Sequence, residues 1–134
     1  MATTTGTLTI ASTDLISDAI SFSTQFTHTD TRNSTGLARE KVTSTAKGTA
    51  SGQVTLYTAD DYAAIAYLYV KNTNTTAANK IYIYDDTSTG DPILIQLDVN
   101  DFAWIPMHGD KTLKAYNPNG TDPVIEWMVI GTDQ

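Results

Sequence analysis

Few side chains in this 134-residue chain could carry out acid–base or nucleophilic chemistry. The two histidines, His28 and His108, are best suited to activate a nucleophile, because a neutral imidazole accepts a proton near neutral pH. His28 lies in a threonine-rich stretch, QFTHT, and His108 lies in the turn-like MHGD, so neither belongs to a recognisable catalytic motif. The chain also has no Gly-x-Ser-x-Gly elbow and no glycine-rich phosphate loop. We therefore predict a noncatalytic protein.

Neighbouring aspartates form a second group of candidate residues. They are Asp60 with Asp61, Asp85 with Asp86 and Asp91, and Asp98 with Asp101. Paired carboxylates act as acid and base in glycoside hydrolysis, and clustered carboxylates bind Ca²⁺. The stretch at 85–91 is rich in oxygen ligands, but it lacks the spacing and the terminal glutamate of an EF-hand loop. Aspartates also form turns by bonding their own backbone, and we predict this role here, with no metal ion and no cofactor. A Ca²⁺ site at 85–91 and a glycosidase are the alternatives.

Aromatic side chains are concentrated in the second half of the chain. Trp104 and Trp127 lie within apolar stretches, which is typical of core residues. Four tyrosines instead alternate with apolar residues, so that they project from one face of a strand. These candidate surface residues are Tyr67, Tyr69, Tyr82 and Tyr84. Exposed tyrosines suit a subunit interface, and their rings also stack on sugars, so both kinds of binding site are considered.

The overall composition disfavours several classes of function. Fifteen acidic and eight basic residues give a net charge of −7, which repels nucleic-acid phosphates and anionic membranes, so we expect neither as a partner. The absence of cysteine excludes disulfide bonds, thiol nucleophiles and thiolate metal sites. The chain has 24 threonines, and threonine favours strands because its branched Cβ loses χ1 freedom in a helix. An all-β fold is therefore expected.

Apolar and polar residues alternate with a period of two along most of the chain, which is the pattern of β-strands. The predicted strands are 7–10, 19–26, 37–45, 53–57, 64–70, 80–84, 93–97, 103–107, 112–116 and 124–130. Turn residues separate them, which predicts a single-domain β-sandwich over residues 1–134, jelly-roll-like, with about nine short strands. Residues 59–66 also fit a short helix, because Asp60 could cap it.

The first residues of the chain lack an apolar anchor. Residues 1–6 are uncharged and threonine-rich, so we predict a flexible N-terminal arm that adds a strand to the edge of a neighbouring sheet on docking. Its candidate contact residues are Thr3, Thr4 and Thr5. The segment lacks the basic and apolar regions of a secretory signal. The longest apolar stretch, 62–70, has nine residues and is too short for a membrane helix, so we expect a soluble protein.

Several stretches of the chain have an order and spacing that are familiar from one group of proteins. They are GLAR at 36–39 with TST at 43–45, YLYVKNT at 67–73, FAWIP at 102–106, LKAY at 113–116 with GT at 120–121, and VIEW at 124–127. Together they resemble small structural proteins of tailed phages of aquatic bacteria, cyanophages among them. The resemblance extends from about residue 8 to residue 131.

The resemblance implies a virion component made in the host cytoplasm. It suggests a head decoration or cement protein, a homotrimer that binds the major capsid protein on the outer surface of the head and stabilises the lattice. Proteins of this kind bring no catalytic residues to this chain, and they gain affinity by bridging several capsid subunits at once. A phage tail or adhesin component and a carbohydrate-binding β-sandwich module are the alternative functions.

Overall fold

The computed structural model of the chain describes residues 2–13, 20–30, 33–48, 51–61, 65–87 and 89–131. Every regular element in these residues is a β-strand, which confirms the all-β prediction. In this part of the chain, no helix has the length and hydrophobicity needed to cross a membrane. The chain divides into two compact units, Met1–Arg32 and Asn33–Gln134.

The first unit is a β-hairpin. Strands β1 (Ala2–Ser12) and β2 (Ile20–Asp30) pair antiparallel in one continuous register, from Ala2 opposite Asp30 to Ser12 opposite Ile20. The prediction of a flexible arm over residues 1–6 was therefore wrong, because residues 2–6 lie in β1. Their partners are residues 26–30, and pairing satisfies backbone groups that a short stretch cannot satisfy alone.

The second unit contains nine strands in the described residues, and they form two antiparallel sheets. The strands are β3 (Asn33–Ser34), β4 (Ala38–Lys41), β5 (Val54–Tyr57), β6 (Ile65–Asn72), β7 (Ile81–Asp85), β8 (Ile93–Leu97), β9 (Phe102–His108), β10 (Leu113–Tyr116) and β11 (Val124–Gly131). The four-stranded sheet has the order β5-β10-β7-β8. In the five-stranded sheet, β11 lies between β6 and the short strands β3 and β4, and β9 forms the opposite edge.

Strand pairing in the second unit is nested. Strand β4 pairs with β11, β5 with β10, β6 with β9 and β7 with β8, and every pair is antiparallel. Strands that are distant in sequence thus lie side by side, while the innermost pair, β7 and β8, is consecutive. The β-sandwich prediction is confirmed, but the sandwich lies within the unit that begins at Asn33 and does not include the hairpin.

The two sheets of the second unit share one hydrophobic core. Alternate residues of each strand point into it, so that Ile81 and Ile83 of β7 and Leu68 and Val70 of β6 are fully buried. Trp127 packs against this core, as predicted. Burial of one such aliphatic side chain contributes roughly 1.5–3 kcal/mol, so the core is the main source of stability in a chain without disulfides.

A buried asparagine at the end of β6 connects two loops. Asn72 is fully buried, and its Nδ2 donates to the carbonyls of Asn79 at 2.6 Å and Asp98 at 3.0 Å. Its Oδ1 accepts hydrogen bonds from the backbone N–H of Asn74 at 3.2 Å and from the side-chain amide of Asn74 at 2.6 Å. Asn72 therefore ties the loop after β6 to the end of β8.

The alternative helix at 59–66 is not present in the described part of that segment. Ala59 and Asp60 lie in a turn, β6 begins at Ile65, and residues 62–64 lie outside the described residues. Asp60 has a φ of 69°, a left-handed conformation that aspartate tolerates in turns but that a right-handed helix excludes. In the same turn, Asp61 has the role predicted from the sequence, because its Oδ2 accepts the N–H of Thr58 at 3.1 Å.

Gly52 allows a close approach of two loop segments. Its φ is +81°, its carbonyl accepts the N–H groups of Thr43 and Ser44, and an added Cβ would collide with Thr43 Oγ1. We expect Gly52→Ala to lower the free energy of unfolding, measured in urea, by about 1–3 kcal/mol. Gly90→Ala is the matched control, because Gly90 has a φ of +85° but no described atom within 4 Å of the added Cβ. Equal losses in both variants would contradict the collision.

Candidate binding surface

Part of the outer face of the four-stranded sheet is covered by the chain itself. Tyr84 on β7 is fully buried, and its hydroxyl donates to Gln53 Oε1 at 2.9 Å and accepts the Gly48 N–H at 3.2 Å. Tyr116 on β10 packs edge-on against the Tyr84 ring, with ring centroids 5.8 Å apart, and is also buried. The loop that precedes β5 therefore covers Tyr84, and Tyr116 packs beside it.

Tyr84 makes the stability of the protein sensitive to alkaline pH. Burial has the largest influence and raises the pKa of Tyr84 from 10.0 to about 12; the Gly48 N–H lowers it, and Asp86 and Asp91 raise it. The folded state holds the Tyr84 proton more tightly than the unfolded state does. The contribution of Tyr84 to the free energy of unfolding is therefore fully present below pH 10 and is lost as the pH rises through about 12. We expect Tyr84→Phe to reduce the loss of stability over this range in denaturant titrations. Identical pH profiles of the variant and the wild type would contradict this assignment.

The outer face of the five-stranded sheet presents apolar side chains to solvent. Alternation along β6 directs Leu68 and Val70 into the core and leaves Tyr67 and Tyr69 half-buried on the outer side. The register places outward residues of the neighbouring strands beside them. We call this surface the aromatic face; its members are Tyr67, Tyr69, Lys71, Phe102, Trp104, Pro106, Met128, Glu126 and Arg39.

Aromatic rings form the centre of the aromatic face. The rings of Tyr67 and Trp104 stack with centroids 5.9 Å apart and planes inclined by 18°. Tyr69 lies opposite Trp104 in the strand register, and Phe102, at the start of β9, is 58% exposed. Clustered apolar side chains at a protein surface mark an interaction site, because their contact with water is unfavourable.

The aromatic face also contains an ion pair. Arg39 Nε donates to Glu126 Oε2 at 3.0 Å, and the Tyr69 hydroxyl donates to Glu126 Oε1 at 3.3 Å, so both carboxylate oxygens have partners. Burial, followed by the charge of Glu126 and its hydrogen bond, raises the pKa of Tyr69, so the hydroxyl stays protonated at neutral pH. This network provides fixed polar groups beside an apolar surface and suits binding and orientation of a partner.

The structure distributes the predicted site residues over three places. Tyr67 and Tyr69 lie together on the aromatic face. Tyr82 lies on the other sheet, where its ring centroid is 5.6 Å from that of Tyr116. The prediction of Tyr84 as a surface residue was wrong, because the loop before β5 buries it completely. Thr3, Thr4 and Thr5 lie in β1 of the hairpin, opposite Thr29, His28 and Thr27.

Trp104 was predicted to be a core residue, but it lies on the aromatic face and is a binding candidate. Its neighbours Ala103 and Ile105 pack against the core, so Trp104 between them points to the outer side of β9. The sequence carried no signal for this position, since residues 102–107 are all apolar. Phe102 and Met128 join the face through the same alternation on β9 and β11.

The two histidines belong to different units of the chain. His108 is the exposed last residue of β9, and its Nδ1 is 2.9 Å from Asp110 Oδ1. This is a contact within one turn, since the two residues are two positions apart. His28 lies in β2 opposite Thr4, and its side chain is outside the described residues.

The aspartates at the end of β7 are engaged with the backbone and with lysines. Asp85 Oδ1 accepts the N–H of Thr87 at 2.8 Å, and its Oδ2 lies 3.4 Å from Lys111 Nζ. Asp86 pairs with Lys114 at 2.6 Å. In the part of the chain that the structure describes, no group of three or more histidine, aspartate or glutamate side chains could hold a metal ion.

The aromatic face has the composition of a protein-binding surface. Tyrosine, tryptophan, phenylalanine, methionine and arginine are the residues enriched in such surfaces, and all five types occur in it. A few large side chains usually contribute most of the binding free energy. Comparison of the chain with protein-family models, with curated proteins and with solved structures finds no match.

Proposed function

We propose that the chain is a noncatalytic structural protein of a tailed-phage virion, a homotrimeric decoration or cement protein on the outer surface of the head. The observation that carries the proposal is the asymmetry of the sandwich. On the outer side of the four-stranded sheet, a loop of the chain buries Tyr84, whereas the outer side of the five-stranded sheet presents the aromatic face. The sequence resemblance to phage structural proteins supports the major capsid protein as the partner, and the exposed aromatic face is the surface that we assign to it.

The nested strand pairing supports a jelly-roll fold for the second unit. A jelly roll has eight strands in two sheets, as if a long antiparallel hairpin had been folded over itself, so its first strand pairs with its last. The pairs of β4 with β11, β5 with β10, β6 with β9 and β7 with β8 follow this order. Jelly rolls occur both in viral capsid proteins and in lectins, so the choice between these roles depends on the surface.

The remaining properties of the sandwich fit a cement protein. Its stability comes from a packed core and no cysteine is required, so it can fold in a reducing host cytoplasm. The core gives rigid support to the aromatic face, and a rigid binding surface loses little conformational entropy on docking. A trimer that contacts several capsid subunits would gain further affinity through multivalent binding.

Purified particles of the phage that encodes this chain test the proposal. We expect the chain in many copies that follow the symmetry of the head, with the aromatic face against the major capsid protein in a reconstruction. We also expect heads that lack the chain to withstand higher temperatures after the purified protein is added. Absence from the head would contradict the proposal, and a few copies at the tail would support the adhesin alternative.

Carbohydrate binding is a second candidate function, favoured by the near-parallel rings of Tyr67 and Trp104. Flat apolar rings offer a surface on which a sugar ring can stack, and Glu126 and Arg39 provide polar groups beside it. Titration with sugars at millimolar concentration would quench tryptophan fluorescence in the wild type and leave Trp104→Ala unchanged. Absence of quenching across a broad panel of sugars would remove this candidate.

A further inference from the structure

The N-terminal hairpin has two chemically different faces. Side chains alternate along each strand, and the register places even-numbered residues of β1 opposite even-numbered residues of β2. The odd-numbered face is polar; its residues from 3 to 9 and from 23 to 29 are threonine, serine and glutamine. On the even-numbered side, a surface that we call the hairpin's apolar face contains Gly6, Leu8, Ile10, Phe22 and Phe26.

The hairpin's apolar face is exposed. Leu8 is 43%, Ile10 45% and Phe22 49% exposed, and Ile10 lies directly opposite Phe22. A two-stranded hairpin is at best marginally stable in water unless a third strand or a packed layer covers its apolar side. In the part of the chain that the structure describes, β1 and β2 pair only with each other. We therefore expect another protein segment to pack against this face.

The charge distribution indicates which molecule provides this layer. The chain has a net charge of −7, so copies of it repel each other wherever their charged surfaces meet. Residues 2–13 and 20–27 contain no aspartate, glutamate, lysine or arginine, so two hairpins can approach without this repulsion. Both strands also lack the lysine and proline residues that protect exposed strands against self-association. The hairpin of a second copy therefore matches this face in both polarity and charge.

We propose that the N-terminal hairpin is the self-association element of this protein, in which hairpins of neighbouring copies pack their apolar faces against one another. This proposal specifies which surface holds the copies of the proposed homotrimer together, and it rests on the proposed function only for the existence of that trimer. It assigns the contacts between copies to the hairpin, and it leaves the aromatic face of each sandwich to the capsid. Ile10 and Phe22, which lie opposite each other and are both exposed, are part of this contact.

Two lysine substitutions at adjacent positions test the proposal. Ile10→Lys places a charge in the hairpin's apolar face, whereas Thr9→Lys places the same charge on the polar face of the same strand. We expect the wild type and Thr9→Lys to form the same oligomer, with a mass that is a multiple of 14.5 kDa in sedimentation equilibrium. We expect Ile10→Lys to raise the dissociation constant at least about 30-fold, as for a buried interface residue.

Controls separate loss of assembly from loss of folding. Both tryptophans, Trp104 and Trp127, lie in the second unit, so their fluorescence shows whether each variant keeps a folded sandwich. A monomeric wild type, or an Ile10→Lys variant with the wild-type mass, would overturn the proposal. A monomeric wild type whose binding to phage heads is lost in Ile10→Lys would also overturn it, since the hairpin would then dock on the capsid. Oligomers that assemble through the hairpin but do not bind heads would support it and contradict the capsid role alone.

Discussion

Replacing Trp104 and Phe102 together with alanine is expected to weaken binding of the protein to phage heads at least about 30-fold, which corresponds to about 2 kcal/mol. These two side chains lie on β9 at alternate positions of the aromatic face, and Phe102 is 58% exposed. Large aromatic residues at the centre of an interface contribute most of its binding free energy, because they bury extensive apolar surface with little loss of conformational freedom. Co-sedimentation with heads that lack the protein measures the change.

A matched variant distinguishes the aromatic face from exposed apolar surface in general. Ile93 and Leu94 on β8 are 47% and 52% exposed and belong to the other sheet. We expect Ile93→Ala with Leu94→Ala to leave binding within about threefold of the wild type, as for residues outside an interface. If both double variants lose the same affinity, the aromatic face is not the capsid contact. Fluorescence of Trp127, which packs against the core, verifies that the Trp104 variant is folded.

Replacing Asn72 with aspartate is expected to destabilise the sandwich by at least about 3 kcal/mol at neutral pH. The Asn72 amide donates to the carbonyls of Asn79 and Asp98, and a carboxylate of the same shape would instead face these oxygens as a buried negative charge. Protonation restores one donor, so the penalty should decrease as the pH falls through the raised pKa of the introduced acid. Urea denaturation at several pH values measures the effect.

The control for this substitution is Asn100→Asp. Asn100 is exposed in the turn before β9, and its φ of 62° is a conformation that aspartate also adopts. The change adds the same charge without burying it, and we expect a difference within about 0.5 kcal/mol of the wild type. If Asn72→Asp were as mild as this control, the buried amide would not be the anchor that the geometry indicates.

Much of the strand arrangement is predictable because its signals are local. Residues 93–97 were predicted as a strand and form β8 with the same bounds, and residues 124–130 fall within β11. Alternation also placed Tyr67 and Tyr69 on the side of β6 opposite Leu68. Asp101 has the turn role predicted for it, since the Asp98 N–H donates to Asp101 Oδ2 at 3.0 Å. Each of these outcomes depends on side-chain type and spacing within a few residues.

The candidate site was harder to predict because its limits depend on contacts between distant segments. Tyr84 and Tyr69 have the same local pattern, yet Tyr84 is buried because Gly48 and Gln53, more than 30 positions earlier, bond to its hydroxyl. Trp104 lies in an apolar stretch that resembles a core strand, and only its pairing with Tyr69 shows that it belongs to the aromatic face. Alternation divides the residues of a strand into two faces but does not say which face another segment covers.

The all-β class, the strand pattern, the acidic charge and the turn role of Asp85 and Asp101 could be read from the sequence, because they follow from the conformational preferences and charges of single residues. The pairing of residues 2–6 in a hairpin, the burial of Asn72, and the cover over Tyr84 beside the open aromatic face became visible in the folded chain alone. Each of these features joins segments far apart in the chain. Whether such segments meet depends on the free energy of the whole packed arrangement rather than on local preference.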